Sequence, residues 1–186
     1  MRLKRFLILW VTLSSAAFSF ADDFVYDNLK YATNSDNSVT LVDGKGANGD
    51  VIIPSDVRNK NKVYVVTAIE HNAFEGNNAI TAVTIPSSVS TIGYSAFNGC
   101  KGLRRVMDAS RVTEMQGFEY TDSTNLTSVT LSGTLQKIGY RSFTGSALAH
   151  LVLPASMREI GSSAFEDCHQ LRNVQFNTGL QNIKDH

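Results

Sequence analysis

The sequence contains few residues that interrupt or cross-link a chain: three prolines and two cysteines among 186 residues. It also has only one tryptophan. Two cysteines can form at most one disulfide within the chain, which excludes a fold held together by many disulfides. The 17 basic and 17 acidic residues cancel, and the chain has no basic run, so its charge does not favour nucleic acid as a partner. The 42% hydrophobic content predicts a folded protein with a packed core.

The first 21 residues differ from the rest of the chain. Basic residues begin this segment, an apolar run occupies 6–13, and Ser19 and Ala21 stand at the small cleavage positions of a secretory signal peptide. A membrane anchor needs about 20 apolar residues, whereas the uncharged stretch 6–21 has only 16. The pattern therefore predicts a protein that is secreted or at the cell surface, without a membrane span after signal removal. The first cysteine, Cys100, is too far along the chain for a lipid anchor.

One nine-residue pattern occurs three times: IGYSAFNGC begins at Ile92, IGYRSFTGS at Ile138 and IGSSAFEDC at Ile160. An internal repeat of 23, 23, 22 and 23 residues aligns these segments, with the first strand of each repeat centred on Val83, Val106, Val129, Leu151 and Val174. A repeat this short cannot bury its own apolar face. Repeats must therefore stack as coils, with equivalent side chains in rows through a shared core.

Each repeat predicts the same local elements. A short alternating strand comes first, the IG dipeptide ends a second short strand, and the AF segment forms a turn or one piece of 3₁₀ helix. The phenylalanine position places Phe97, Phe143 and Phe165 in one interior row. In the repeat 106–128, the usual isoleucine, glycine and alanine are replaced by Asp108, Gln116 and Glu119. We interpret this repeat as a degenerate coil within one continuous domain.

The two cysteines occupy equivalent positions three coils apart, at Cys100 and Cys168. Stacked strands lie about 4.8 Å apart, so the two positions are separated by roughly 14 Å. A disulfide allows only about 7 Å between its Cα atoms. We therefore predict two buried free thiols.

The segment 22–50 lacks the repeat and is predicted to form a β-hairpin cap over the first coil, because a solenoid end otherwise exposes an apolar edge. Its GKGANG string, Gly44–Gly49, matches a dinucleotide-binding motif, but a strand and not a helix follows, which favours a turn. The predicted domains are a signal peptide at 1–21, the cap at 22–50 and the repeats at 51–186. The last repeat is incomplete after Ile183, which predicts self-association through this uncapped coil or a chain that is a fragment.

The segment AITAVTIPSSVSTIGYSAFNGCKGL, which begins at Ala79, is similar at nearly every position to the BspA-like leucine-rich repeat family. The resemblance covers residues 51–183 and implies a leucine-rich-repeat-like solenoid, mainly β, with short parallel strands joined by turns. It also implies an exported or surface-attached bacterial protein that binds other proteins, host matrix components included, and promotes adhesion or aggregation.

No constellation of catalytic, metal-binding or cofactor-binding residues is evident in the sequence. The histidines are scattered over different coils, and Cys168 and His169 point to opposite sides of the chain, so they do not form a thiol–imidazole pair. We expect a protein without enzymatic activity, cofactor or metal.

The outward residues of the first strand of each repeat form a surface that we call the strand face. It is the predicted binding surface for a protein partner, because solenoids present extended faces. Ala82 shares an outward column of this face with Arg105. The alternative is a structural spacer or assembly module of a larger cell-envelope protein. The candidate partner-binding residues are Arg104, Arg105, Met107, Thr127, Thr130, His150, Arg172, Asn173 and Gln175.

Overall fold

The computed structural model describes residues 23–185, a mainly β solenoid of short strands and turns without any helix in that range. The predicted signal peptide lies outside the described residues. The strands are β1 (Phe24–Tyr26), β2 (Leu29–Thr33), β3 (Ser38–Asp43), β4 (Gly49–Ile52), β5 (Asp56–Asn59), β6 (Lys62–Ile69), β7 (Ile80–Ile85), β8 (Thr91–Ile92), β9 (Arg105–Asp108), β10 (Ser128–Thr130), β11 (Lys137–Ile138), β12 (His150–Val152), β13 (Glu159–Ile160), β14 (Asn173–Gln175) and β15 (Asn182–Ile183).

The N-terminal cap is larger than a hairpin. Strands β1, β2 and β3 pair antiparallel in sequence order. Asp27 and Asn28 adopt positive φ angles of 50° and 60°, which turn the chain between β1 and β2. β5 and β6 form a further hairpin, and β6 pairs parallel with β3. The cap sheet therefore includes the insertion that follows β4. In the GKGANG segment, Lys45 and Gly46 form a turn and β4 begins at Gly49, as the sequence predicts.

The strand face contains the parallel strands of successive coils. β4, β7, β9 and β10 form one four-stranded sheet, and β12 and β14 form a separate pair. The register places Val83 opposite Val106 and Val106 opposite Val129. This register confirms the alignment of the repeats.

A second ladder runs along the other side of each coil. β8 pairs with β6 of the cap, and β11, β13 and β15 pair in parallel. The coil 106–128 contributes no regular strand to this ladder and joins it through single bridges, Glu114 to Lys137 and Gly117 to Tyr140. The main chain nevertheless continues through this coil in register, so the prediction of a degenerate coil within one solenoid is confirmed.

The core contains one row of stacked aromatic rings along the solenoid axis. Successive ring centroids are separated by 4.9, 5.4, 5.3 and 5.5 Å, which is the usual range for attractive aromatic pairs. Phe97 and Phe143 are fully buried, whereas Phe165 is only partly buried against the core. The predicted interior row is confirmed, and it runs through Phe74, Phe97, Tyr120, Phe143 and Phe165.

Small side chains at equivalent turn positions join three of the coils to the preceding coil. Cys100 Sγ donates to the carbonyl of Phe74 at 3.0 Å, and Ser123 Oγ donates to that of Phe97 at 3.0 Å. Cys168 Sγ makes the equivalent bond at 3.0 Å. Both cysteines are free, as predicted, but Cys168 is only partly buried. The expectation of two buried thiols is wrong for Cys168, because the last described coil reaches only β15 and leaves the turn at Cys168 partly uncovered.

Candidate docking surface

The strand face owes its composition to strand alternation. Side chains of a strand point alternately to opposite sides, so Val106 of β9 faces the core and its neighbours Arg105 and Met107 face solvent. The nine residues singled out from the sequence all lie on this surface and are all exposed: Arg104, Arg105, Met107, Thr127, Thr130, His150, Arg172, Asn173 and Gln175.

Ala82 is an exception to the expected outward column, because it is 7% exposed. Its register partners on the two neighbouring strands are Asp50 and Arg105. The Arg105 guanidinium lies 3.4 Å from the Asp50 carboxylate, so the pair spans the strand between them and covers the small alanine side chain.

The strand face carries two arginines without an acidic partner. Arg105 is paired with Asp50, an exposed ion pair of the kind that adds little stability. Among the residues that the structure describes, no carboxylate lies within salt-bridge distance of Arg104 or Arg172. The face therefore offers two uncommitted guanidinium groups to an acidic partner.

The sheet of the strand face is interrupted between β10 and β12. Within residues 23–185, no ladder or main-chain hydrogen bond joins these two strands. An open groove of about 440 Å³ lies there, which we call the slot. It is lined by Thr127, Ser128, Val129, Thr130, Leu131, His150, Val152 and Pro154.

A shorter turn accounts for the slot. In the repeats before and after, two residues separate the small polar position from the next leucine column, as between Cys100 and Leu103. Only one residue separates Ser146 from Leu148. This deletion is the 22-residue step of the sequence. The turn is one residue too short to bring β12 into hydrogen-bonding distance of β10, while β11 and β13 on the other side still pair.

Two carboxyl groups lie inside the coil 106–128. Asp108 and Glu119 line an enclosed cavity of about 10 Å³ together with Tyr120 and apolar side chains. The Glu119 carboxylate accepts hydrogen bonds of 2.9 Å from the Gly117 amide and from Ser142 Oγ. Burial raises the pKa of both carboxyl groups above their ordinary values. The sequence signal was the presence of acidic residues in apolar columns.

A surface aromatic cluster was not identified from the sequence. Tyr94, Phe118 and Tyr140 pack against one another on successive coils in tilted and edge-to-face pairs, with ring centroids 5.0 and 5.2 Å apart. The Arg141 guanidinium lies 5.5 Å from the Tyr140 ring centroid. The recurrence of tyrosine after IG in two repeats could have revealed it. The rings mainly contact one another, so they stabilise neighbouring turns.

The described residues do not assemble catalytic chemistry. Burial raises the pKa of the Cys100 thiol to about 12, which keeps it protonated and unreactive. Burial also raises the pKa of Cys168, whose Sγ contacts Ser146, and exposed His169 lies beside Asp167 instead. Within residues 23–185, no group of three potential ligands is placed to hold a metal ion. No helix of that range is long and apolar enough to span a membrane.

Parallel strands at a 22- or 23-residue step, with an interior aromatic row, define a leucine-rich repeat solenoid. The model of the BspA type leucine-rich repeat region matches residues 67–186 in six copies. The chain belongs to this family. Leucine-rich repeat proteins act in protein–protein interaction and are generally non-enzymatic binding modules. No curated protein matches the sequence.

Solved bacterial structures share the fold. A leucine-rich repeat protein from Bacteroides ovatus is 28% identical with a TM-score of 0.73, over 82% of this chain and 41% of that protein. The T. pallidum leucine-rich repeat protein TpLRR is 29% identical with a TM-score of 0.70, over 82% of this chain and 70% of that one. A leucine-rich repeat protein from Eubacterium ventriosum has a TM-score of 0.65 at 17% identity, over 87% of this chain and 48% of that one. This chain spans less than half of the Bacteroides ovatus protein.

Proposed function

We propose that the mature chain is a non-catalytic adhesion module that binds a protein partner through the strand face. The observation that carries this proposal is the extended exposed surface with two arginines, Arg104 and Arg172, that no acidic side chain of residues 23–185 neutralises. Exposed charges without partners remain available for an incoming carboxylate, and charged groups on an open surface accelerate association with an oppositely charged partner. The partner that fits is a protein with an acidic surface.

The proposed location is outside the cell or at its surface, and the proposed partners include host extracellular-matrix proteins and glycoproteins. The support for export is the signal-peptide pattern of residues 1–21. The support for a matrix partner is the family resemblance together with the open face.

The test is binding of the mature chain to a panel of immobilised host matrix proteins, compared with a triple variant, Arg104→Ala, Arg105→Ala and Arg172→Ala. We expect at least a tenfold loss of affinity. The matched control removes three exposed cations that lie off the strand face, Arg58, Lys101 and Arg111, and should bind as the parent does. Equal binding by both triple variants would place the contact elsewhere on the molecule.

A second candidate function is a spacer or assembly module in a larger envelope structure. The observation that favours it is the apolar surface of the last described coil, where Phe176 is 54% and Ile183 is 62% exposed. Self-association through this coil would bury both side chains. Sedimentation of the mature chain tests the idea: concentration-dependent dimers that Phe176→Ser and Ile183→Ser abolish support assembly, and a monomer at all concentrations contradicts it.

A further inference from the structure

The interruption between β10 and β12 leaves a groove in the strand face. We propose that the slot between β10 and β12 is an anchor site for an aspartate or glutamate side chain of a partner protein, a hypothesis that rests on the proposed function of the strand face.

The slot exposes main-chain groups that pair with a neighbouring strand at the other junctions between successive strands of the strand face from β4 to β14. Successive main-chain groups of a strand point to opposite edges. In β12 and its flanks, the amide of Leu153 donates to Gln175 and the carbonyl of Ala149 accepts from Arg172, so these odd positions face β14. The amides of His150 and Val152 therefore point into the slot. Because no acceptor of β10 reaches them, they are free to bind a ligand.

The width of the slot selects a side chain and not a whole strand. An added strand needs about 4.8 Å on each side, roughly 9.6 Å between β10 and β12. The two strands approach within 8 Å at their Cα atoms. A partner strand therefore cannot be inserted between them, whereas a carboxylate on a short side chain reaches the two amides from the solvent side.

The side chains of the slot, as distinct from the main-chain carbonyls that also line its edges, favour an anion. None of its eight lining residues is acidic, and His150 is exposed at its rim. Arg104 precedes β9, the strand beyond β10, and Arg172 precedes β14, the strand beyond β12. Both arginines lack an acidic partner among the described residues. Amides that donate to a carboxylate form charge-assisted hydrogen bonds, which are about twice as strong as neutral ones, and one guanidinium group lies a strand beyond the slot on each side.

The direct experiment is an amide chemical-shift titration of the mature chain with two capped synthetic peptides, acetyl-Gly-Thr-Glu-Thr-Gly-amide and its glutamine counterpart. We expect the glutamate peptide to shift the His150 and Val152 amide resonances with saturation, and the glutamine peptide to bind at least tenfold more weakly. Equal responses to both peptides, no response, or shifts confined to other coils would overturn the proposal.

A variant that closes the slot provides the structural control. Inserting one asparagine between Ala147 and Leu148 restores the 23-residue step and the length of the turn, so β12 can pair with β10. We expect this variant to lose the response to the glutamate peptide. Persistence of that response would overturn the proposal. If the insertion prevents folding, the double variant Arg104→Ala and Arg172→Ala must weaken the peptide at least fivefold, and unchanged affinity would overturn it.

The two proposals fail in different ways. Loss of matrix-protein binding in the Arg104, Arg105 and Arg172 triple variant, with normal binding in a folded insertion variant, overturns the slot and leaves the strand face as the docking surface. Normal matrix-protein binding in the triple variant overturns the proposed function. A glutamate-specific response at His150 and Val152 would in that case still support the slot as a carboxylate site.

Discussion

The interior aromatic row and the strand face respond differently to the same irregularity of the sequence. The row passes through the 22-residue step without a change in spacing, since the ring centroids of Tyr120 and Phe143 are 5.3 Å apart and those of Phe143 and Phe165 are 5.5 Å apart. At the same step the strand face separates into two sheets. The deletion falls in the turn that leads into β12, so the missing residue affects the strand face and not the core.

The second ladder has its own interruption, one coil earlier. β8 does not pair with the coil 106–128, and an open groove of about 180 Å³ separates Thr91 and Ile92 from Glu114 and Gln116. Glycine occupies the equivalent position in the neighbouring coils because a Cβ there would collide with the preceding coil. The side chain of Gln116 prevents that close approach. Coils of this solenoid therefore remain stacked by their core while either surface ladder opens.

Removing a ring from the middle of the interior row should have the largest effect on stability. Phe143→Ala is expected to lower the free energy of unfolding by roughly 3 to 5 kcal/mol, because it leaves a cavity between two stacked neighbours. Phe165→Ala should cost less, about 1 to 3 kcal/mol, because Phe165 is partly exposed. Urea unfolding of both variants measures the difference. Equal losses of unfolding free energy would contradict the difference in burial between Phe143 and Phe165.

Adding a methyl group where coils approach closely should have the next largest effect. A Cβ at Gly161 would lie 2.9 Å from the carbonyl oxygen of Ile138, so Gly161→Ala should destabilise the fold by about 1 to 3 kcal/mol through overpacking. Ser162→Ala is the matched control and should change stability by less than about 0.5 kcal/mol. Thermal unfolding compares the two variants. If Gly161→Ala left the stability unchanged, the coils of the second ladder could separate enough to accept the added methyl group.

The buried carboxyl group should make stability depend on pH in an unusual direction. Glu119 has a folded-state pKa raised above 4.5 by burial, so the folded chain binds this proton more tightly than the unfolded chain does. Its contribution to stability therefore increases as the pH falls from above that raised pKa towards 4.5, and is lost as the pH rises.

Replacement of the carboxyl group isolates its share of this pH dependence. Glu119→Gln should be more stable than the parent at pH 7, and the advantage should shrink as the pH approaches 4.5. Denaturant unfolding at several pH values between 4.5 and 8 measures the difference between the two proteins. A difference that stays constant over this range would contradict a perturbed Glu119.

The smallest effect on stability is expected on the strand face. Arg104→Ala combined with Arg172→Ala should change the free energy of unfolding by less than about 0.5 kcal/mol, because both side chains are exposed and neither is paired among the described residues. Urea unfolding checks this. A loss above 1 kcal/mol would mean that these arginines support the fold, and the binding experiment would then need another variant.

The sequence was sufficient for the repeat, the register and the interior row. Apolar columns with a constant step specify which side chains meet, and the pairing of Val83 with Val106 follows directly from that step. The free thiols also followed from geometry, because three coils separate Cys100 and Cys168.

The features that the sequence did not predict depend on backbone conformation and on contacts between coils. Equivalent positions with positive φ angles of 53–60° are occupied by Ser95, Phe118, Arg141 and Ser163, yet these residue types do not signal a left-handed conformation. The pairing of β1 with β2 in the cap depends on a turn at Asp27 and Asn28 that was not predicted from the sequence. The slot was present in the sequence as a 22-residue step, but whether a short turn displaces the strand face or the core is decided by packing.

Amide hydrogen exchange across β12 tests most directly whether the strand face is open while the core stays closed. The account predicts that the amides of His150 and Val152 exchange at least about 100-fold faster than those of Leu153 and Ala109, which donate 3.0 Å hydrogen bonds to neighbouring coils. Equal protection of all four amides would mean that β10 and β12 are paired, and would contradict both the interrupted strand face and the carboxylate site built on it.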